Sequence, residues 1–141
     1  MKAYLDASAI VPYFTAEDTT LTVVRFFRTH TDSLHVGTFA AGEVASAVSR
    51  LRRTEHLSRA NADAALSALD DWLGVGTEII SIIADDIITA ALFVRRFEFA
   101  LRMPDAIYVA TCGLLDLTLV TFDTRLLRAA RAIGVAVVIP A

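Results

Sequence analysis

Short apolar runs alternate with longer stretches of helical periodicity along the whole chain. Lys2–Leu5 reads as a strand that ends at Asp6. Leu34–Val36, Glu78–Ile83, Leu117–Thr121 and Val135–Ile139 are further β-rich runs. Between the first two, Glu17–His30 places Leu21, Val24 and Phe27 at the spacing of one helix face. Helices are also predicted from Thr38 to about Arg53, from an N-cap at Ser58 to Leu73, and over Asp85–Phe99. Two more follow, one opened by Pro104 and running through Asp105–Leu115, the other over Thr124–Ile133. Gly74 with Gly76, and Gly134, supply stops.

Strands that alternate with helices form βαβ units, and these build a parallel sheet covered on both faces. The strand runs Ala-Tyr-Leu, Leu-Thr-Leu-Val and Val-Ala-Val-Val-Ile are almost uninterruptedly apolar, as doubly covered strands must be. The expected fold class is therefore α/β with a central parallel sheet. No repeat or Pro/Gly-rich linker divides the 141 residues, so a single domain over 1–141 is expected.

Composition sharpens the picture. Hydrophobic residues make up 55% and charged ones 21%, which excludes intrinsic disorder. The mean hydropathy of +0.55 leaves apolar surface for a partner to cover. The helix over 17–30 is the expected place: Val23 and Phe26 widen its apolar stripe, and Arg25 and Arg28 flank it. Self-association into a homodimer is expected through this face. No apolar run reaches a membrane span, Ala106–Leu115 stopping at ten residues, and Asp6 comes too early for a signal peptide. Cys112 is the single cysteine, so no internal disulfide forms and a reducing, cytoplasmic setting is expected.

The formal net charge of −3 argues against a generally basic nucleic-acid coat. Yet twelve of the thirteen cations are arginines, gathered in groups such as Arg50, Arg52 and Arg53 or Arg125, Arg128 and Arg131. Arginine forks suit phosphate, and equally suit a solvated face or partner contacts.

Ligands of open α/β sheets bind beyond the carboxyl ends of the strands. Asp6 stands at such an end, and Asp123 lies two residues past Thr121. Asp105 falls in the first turn of the helix behind Pro104. Glu43 borders the apolar stripe of the helix after the second strand. Each acid has a purely structural account: Asp105 complements a helix dipole, Asp123 caps a helix and Glu43 keeps its head in water. Asp6 is harder to explain that way, and Ser8 beside it either caps the next turn or meets a phosphate. The chemistry rests on the set. Gathered carboxylates repel and are costly to bury, and a hard divalent cation resolves both problems. Mg²⁺, with Mn²⁺ as a substitute, then points to metal-assisted hydrolysis of a phosphodiester.

Four segments carry a family resemblance. They are Tyr4-Leu5-Asp6-Ala7-Ser8-Ala9-Ile10, Glu43-Val44, Met103-Pro104-Asp105-Ala106-Ile107-Tyr108-Val109-Ala110-Thr111, and Leu119-Val120-Thr121-Phe122-Asp123-Thr124-Arg125-Leu126. In this order they resemble the PIN-domain ribonucleases, and closely the VapC-type toxins of bacterial toxin–antitoxin pairs. The resemblance covers essentially the whole chain. It implies a three-layer α/β/α domain whose acidic pocket binds Mg²⁺ and cuts RNA. Asp6, Glu43, Asp105 and Asp123 fall on the family's acidic quartet, Asp6 and Asp105 on its most regular metal ligands. Ser8 and Thr121 match positions that help hold substrate or the acids' geometry. Tyr108 departs from the pattern, since many relatives carry histidine there; the quartet is untouched and the change bears on RNA contact. The resemblance also implies a small VapB-like antitoxin that occupies the groove.

Other chemistries lack their residues. Phosphotransfer domains with an aspartate after the first strand need a lysine near a late strand, and Lys2 is the only lysine. No Gly-Lys-Ser/Thr phosphate loop occurs. His30, His35 and His56 have no nucleophile motif, while Cys112 and Trp72 read as core. Two alternatives stay open: a PIN nuclease of RNA processing that is not a toxin, and a PIN-like module that binds without cutting.

Overall fold

The first strand, β1 (Ala3–Leu5), forms the centre of a parallel sheet in the computed structural model, which describes residues 1–30 and 34–141. It pairs on one side with β2 (Leu34–Gly37) and on the other with β4 (Thr118–Val120). The edges are β3 (Glu78–Ile80) and β5 (Val137–Val138), giving the order β3-β2-β1-β4-β5. Every residue of β1 and β2 is buried. Successive side chains of a strand point to opposite faces, so both faces are covered and the architecture is α/β/α. Among the described residues seven α-helices flank the sheet: α1 (Ala7–Phe14), α2 (Thr20–Thr29), α3 (Thr38–Arg53), α4 (Arg59–Val75), α5 (Ala84–Val94), α6 (Met103–Leu115) and α7 (Thr124–Ile133). The first four pack on one another, and α5 lies along α6.

The chain leaves β1 toward β2 and β3 on one side, then returns to lay β4 and β5 on the other. The crevice between β1 and β4 is thus the point where the winding reverses. The register sets Leu5 opposite Val120, and the amide of Asp6 donates to the Val120 carbonyl at 3.1 Å. Asp6 and Thr121, the next residue of each strand, therefore emerge side by side.

The structure departs from the sequence expectations in three places. The segment after Asp6 forms α1, which periodicity does not reveal. Ala9, Ile10 and Pro12 are buried and Ala7, Val11 and Phe14 partly so, leaving no polar face to mark a helix, and Pro12 is an interior residue. The helix predicted over Asp85–Phe99 ends at Val94, followed by a 3₁₀ turn at Phe97–Phe99. The chain has to double back there for α6 to lie along α5, and Ala100 takes a left-handed φ of 50° in that reversal.

The third departure concerns α2. Val23, Phe26 and Phe27 are buried, whereas Leu21 is 77% exposed. The buried face is rotated from the predicted one because aromatics from α1 and α4 cover it. Phe27 stacks on Trp72 at 5.5 Å between ring centroids and meets Tyr13 at 5.0 Å. Phe26 stacks on His30 at 4.2 Å. Leu21 apart, α2 keeps no broad apolar face for a partner. A row of exposed apolar side chains runs instead along α5 and its N-cap, formed by Ile83, Ile87, Ile88 and Leu92.

Tyr4, the largest fully buried side chain, needs a glycine beside it. A Cβ on Gly37 would stand 2.1 Å from the Tyr4 hydroxyl oxygen and 3.1 Å from its ring carbon Cζ. Gly37→Ala therefore forces Tyr4 to shift within a closed core, at a cost of about 1–3 kcal/mol. Thermal melting should show a drop of several degrees, and an unchanged melting temperature would mean that this part of the core yields freely.

Candidate active site

Asp6 is 4% exposed and caps the N-terminus of α1. Its Oδ1 accepts from the Ala9 amide at 3.0 Å and from the Ser8 hydroxyl at 2.7 Å. Its Oδ2 accepts from the Thr121 hydroxyl at 2.6 Å. Each hydroxyl is fixed from behind as well. The amide of Phe122 donates to Ser8 Oγ at 2.9 Å, and that of Asp123 to Thr121 Oγ1 at 2.9 Å. A hydroxyl has one proton, so Ser8 and Thr121 spend theirs on Asp6. They join the β4–α7 loop to the acid and hold its geometry.

Burial raises the Asp6 carboxyl to about 6, against the lowering effect of Thr121, Ser8 and the Ala9 amide, and with a further push from the charge of Asp123. Asp123 is the N-cap of α7. Its Oδ1 accepts from the Arg125 amide at 2.8 Å and the Leu126 amide at 3.2 Å. The capping account of Asp123 is thus correct for one oxygen, while its negative charge still reaches Asp6. Asp105 stands in the first turn of α6, partly buried, with Arg102 Nε 3.9 Å away. Burial raises its carboxyl too; Arg102 and Arg125 oppose the shift and Asp123 adds to it. Three of the four predicted acids therefore share one electrostatic field.

Glu43 comes from α3 and joins the others through an unforeseen residue. The Tyr108 hydroxyl donates to Glu43 Oε2 at 2.5 Å. Tyr108 is 3% exposed, and its hydroxyl is turned to Glu43 inside the fold. One signal was available in the sequence: Tyr108 follows Asp105 by three residues, which puts both on one side of α6. A cavity of about 440 Å³ is lined by Glu43, Ala7, Ser46, Ala47, Arg50 and Arg53. A second of about 490 Å³ continues past Ser8 and Phe122 and shares Ala7, Ala47 and Arg50. Glu43 thus borders a groove with Arg50 and Arg53 on its rim, and the groove runs on to Ser8, the hydroxyl partner of Asp6.

Carboxylate and hydroxyl oxygens make up the donor set, and no histidine or cysteine enters it. That chemistry suits a hard divalent cation. Among the described residues no three His, Cys, Asp or Glu side chains form a ready-made cage. Such a site fits Mg²⁺ of the kind held by one or two carboxylates, water and substrate phosphate.

A reversed parallel sheet with a buried acid at its switch point and further acids around it defines the class: a doubly wound α/β domain whose ligands meet the carboxyl ends of β1 and β4. The particular family follows from the sequence itself, because residues 3–132 match the PIN domain model, and the chain belongs to the PIN domain family. Solved structures share the fold across nearly its full length. The sarcin-ricin-loop-cleaving VapC toxin of Mycobacterium tuberculosis superimposes with a TM-score of 0.73 at 18% identity, covering 95% of this chain and 96% of that one. The DNA-bound VapBC complex of Salmonella typhimurium gives 0.76 at 12% identity, over 100% and 99%. The FitAcB structure of Neisseria gonorrhoeae gives 0.72 at 18%, over 98% and 97%. At these identities the likeness is one of fold. No curated protein sequence matches the chain. No described helix is long and apolar enough to cross a membrane.

The raised Asp6 carboxyl has a consequence for stability without metal. The folded state favours protonated Asp6, so its contribution is full below about pH 4 and is lost as pH rises through about 6. The displacement from the ordinary carboxylate range is worth at most about 3 kcal/mol. In chelator, the melting temperature should rise as pH falls from 7.5 to 5, and Asp6→Asn should remove most of that rise. A pH response unchanged in Asp6→Asn would show that other groups cause it.

Proposed function

We propose that the chain is a metal-dependent endoribonuclease and the toxin of a toxin–antitoxin pair. One observation carries the catalytic reading: the buried Asp6 carboxylate is held from three directions at the switch point, with the charge of Asp123 reaching it, Asp105 coupled to Asp123, and Glu43 linked through Tyr108. A module that only binds has no use for a carboxylate kept buried against its own repulsion. Asp6 and Asp105 would be the principal ligands of Mg²⁺ or Mn²⁺, with Glu43 and Asp123 completing the acidic wall. When bound, the ion supplies charge neutralisation on the phosphodiester and an activated water. The protein's own part is positional. Ser8, Thr121 and the Ala9 amide keep Asp6 in one orientation, and Arg50 and Arg53 offer forks to phosphates entering the groove.

The toxin reading draws on the VapC, VapBC and FitAB neighbours, and on two surfaces. An apolar cleft of about 340 Å³ between α1 and α4, lined by Tyr13, Phe14, Leu57, Ala64, Ala65 and Ala68 among others, suits a helix of a small antitoxin. The uncovered row Ile83, Ile87, Ile88 and Leu92 suits a second copy of the chain, giving a homodimer through α5. The reading as a nuclease of RNA processing shares the same site and differs in having no antitoxin.

Cleavage of structured RNA should require Mg²⁺ or Mn²⁺ and fall by at least about a hundredfold in Asp6→Asn, while that variant stays folded. RNA bound but uncut by the wild type, with metal present, would leave only a binding module. The two surfaces are separable. Ile88→Asp should halve the mass in sedimentation yet keep binding to the antitoxin encoded beside the gene. Ala68→Arg should do the reverse. Loss of both properties together in either variant would contradict the assignment of separate faces.

A further inference from the structure

Glu43 differs from the other acids in how it is held. Asp6 has three hydrogen bonds, Asp123 is fixed as a helix cap, and Asp105 stands beside Arg102. Glu43 is carried at the end of three rotatable bonds on α3, and among the described residues its side chain has one hydrogen bond, from Tyr108. That bond spans 65 residues of sequence and joins α3 to α6.

Tyr108 is built to keep its hydroxyl in place. Its ring meets Tyr4 edge-on at 6.2 Å between centroids and Phe39 at 5.8 Å. Phe39 precedes Glu43 by four residues on α3, so the same helix face supplies the ring's wall and the hydroxyl's acceptor. At 2.5 Å the contact falls in the range of a hydroxyl that donates to a charged oxygen. Burial, the Glu43 bond and the charges of Glu43 and Asp6 all push the phenol upward, so it remains a donor.

We propose that Tyr108 is the positioning residue for Glu43: its hydroxyl occupies Oε2 and holds the carboxylate against the groove, so that Oε1 is presented to the divalent cation. This rests on the metal reading of the pocket and adds to it a residue that touches neither metal nor RNA. Without the hydroxyl, Glu43 is free to turn toward solvent and the Arg50 side of the cavity, and the acid wall loses the member contributed by α3. Phenylalanine keeps the ring contacts with Tyr4 and Phe39 and removes only the donor, so it isolates this effect from packing.

The test is a Mn²⁺ titration by calorimetry on the full chain, with no RNA present, for wild type, Tyr108→Phe, Glu43→Gln and the double variant. Partners that orient metal ligands typically carry about tenfold or more in affinity, and Tyr108→Phe should weaken Mn²⁺ binding by roughly that factor. In the Glu43→Gln background the same change should add little, because no carboxylate remains to be held. Equal Mn²⁺ affinity in Tyr108→Phe and wild type overturns the proposal, as does a fully additive double variant. Glu43→Ala removes the held acid itself at a half-buried helix position, and wild-type affinity there also overturns the proposal. A wild type that binds no Mn²⁺ overturns the metal reading, and the proposal falls with it. Binding by the wild type beside an unaffected Tyr108→Phe removes the proposal alone.

Discussion

The hydrogen bond from Thr121 to Asp6 ties the two halves of this molecule together at the place where they meet. Asp6 directly follows the strand that begins one half of the winding, and Thr121 directly follows the strand that begins the other. A carboxylate this deeply buried is costly unless donors surround it. The donors come from three sources: the first turn of α1, Ser8 within that turn, and the end of β4. Ser8 and the Ala9 amide are local to Asp6, but the Thr121 bond follows from the parallel register of β1 and β4, so displacing either strand by one residue would take that donor away. The buried acid is at once the N-cap of α1 and the seam of the sheet.

Around that seam the other acids are placed by different means. Asp105 and Asp123 sit at helix N-termini, where the backbone itself tolerates negative charge. Burial is the main cause that disfavours ionisation of Asp6 and of Asp105, and the charge of Asp123 adds to it at both. Such a pocket holds more negative charge than the fold by itself favours. The same imbalance explains why Ser8 and Thr121 give their protons to Asp6 instead of a ligand, since a buried acid without them would stay neutral at physiological pH.

Much of the site was legible in the sequence because its chemistry is local to strand ends. Asp6 directly after an apolar run, Asp123 shortly after another and Asp105 behind Pro104 all follow from where a parallel sheet ends and a helix begins. The alternation of apolar runs with periodic segments likewise specified a doubly covered sheet. The eight residues of α1 were not legible, because a short helix with apolar residues on several sides carries no period. The buried side of α2 is ambiguous in the sequence for a related reason. Leu21, Val23, Val24, Phe26 and Phe27 encircle most of the helix, and only Tyr13 and Trp72 decide which of them is covered.

The amino-acid sequence by itself determined the fold class and where Asp6, Asp105 and Asp123 stand relative to strand and helix ends, since both depend on hydrophobic period and on residues next to element ends. Tertiary structure alone decided which partners those acids have. The Tyr108–Glu43 bond joins residues 65 apart and the Thr121–Asp6 bond residues 115 apart. A hydrogen bond is satisfied or lost within a few tenths of an ångström, whereas periodicity locates a residue only to a helix face or a strand side. Contacts of that range come into being when strand register and helix packing bring distant segments together, and no local pattern encodes them.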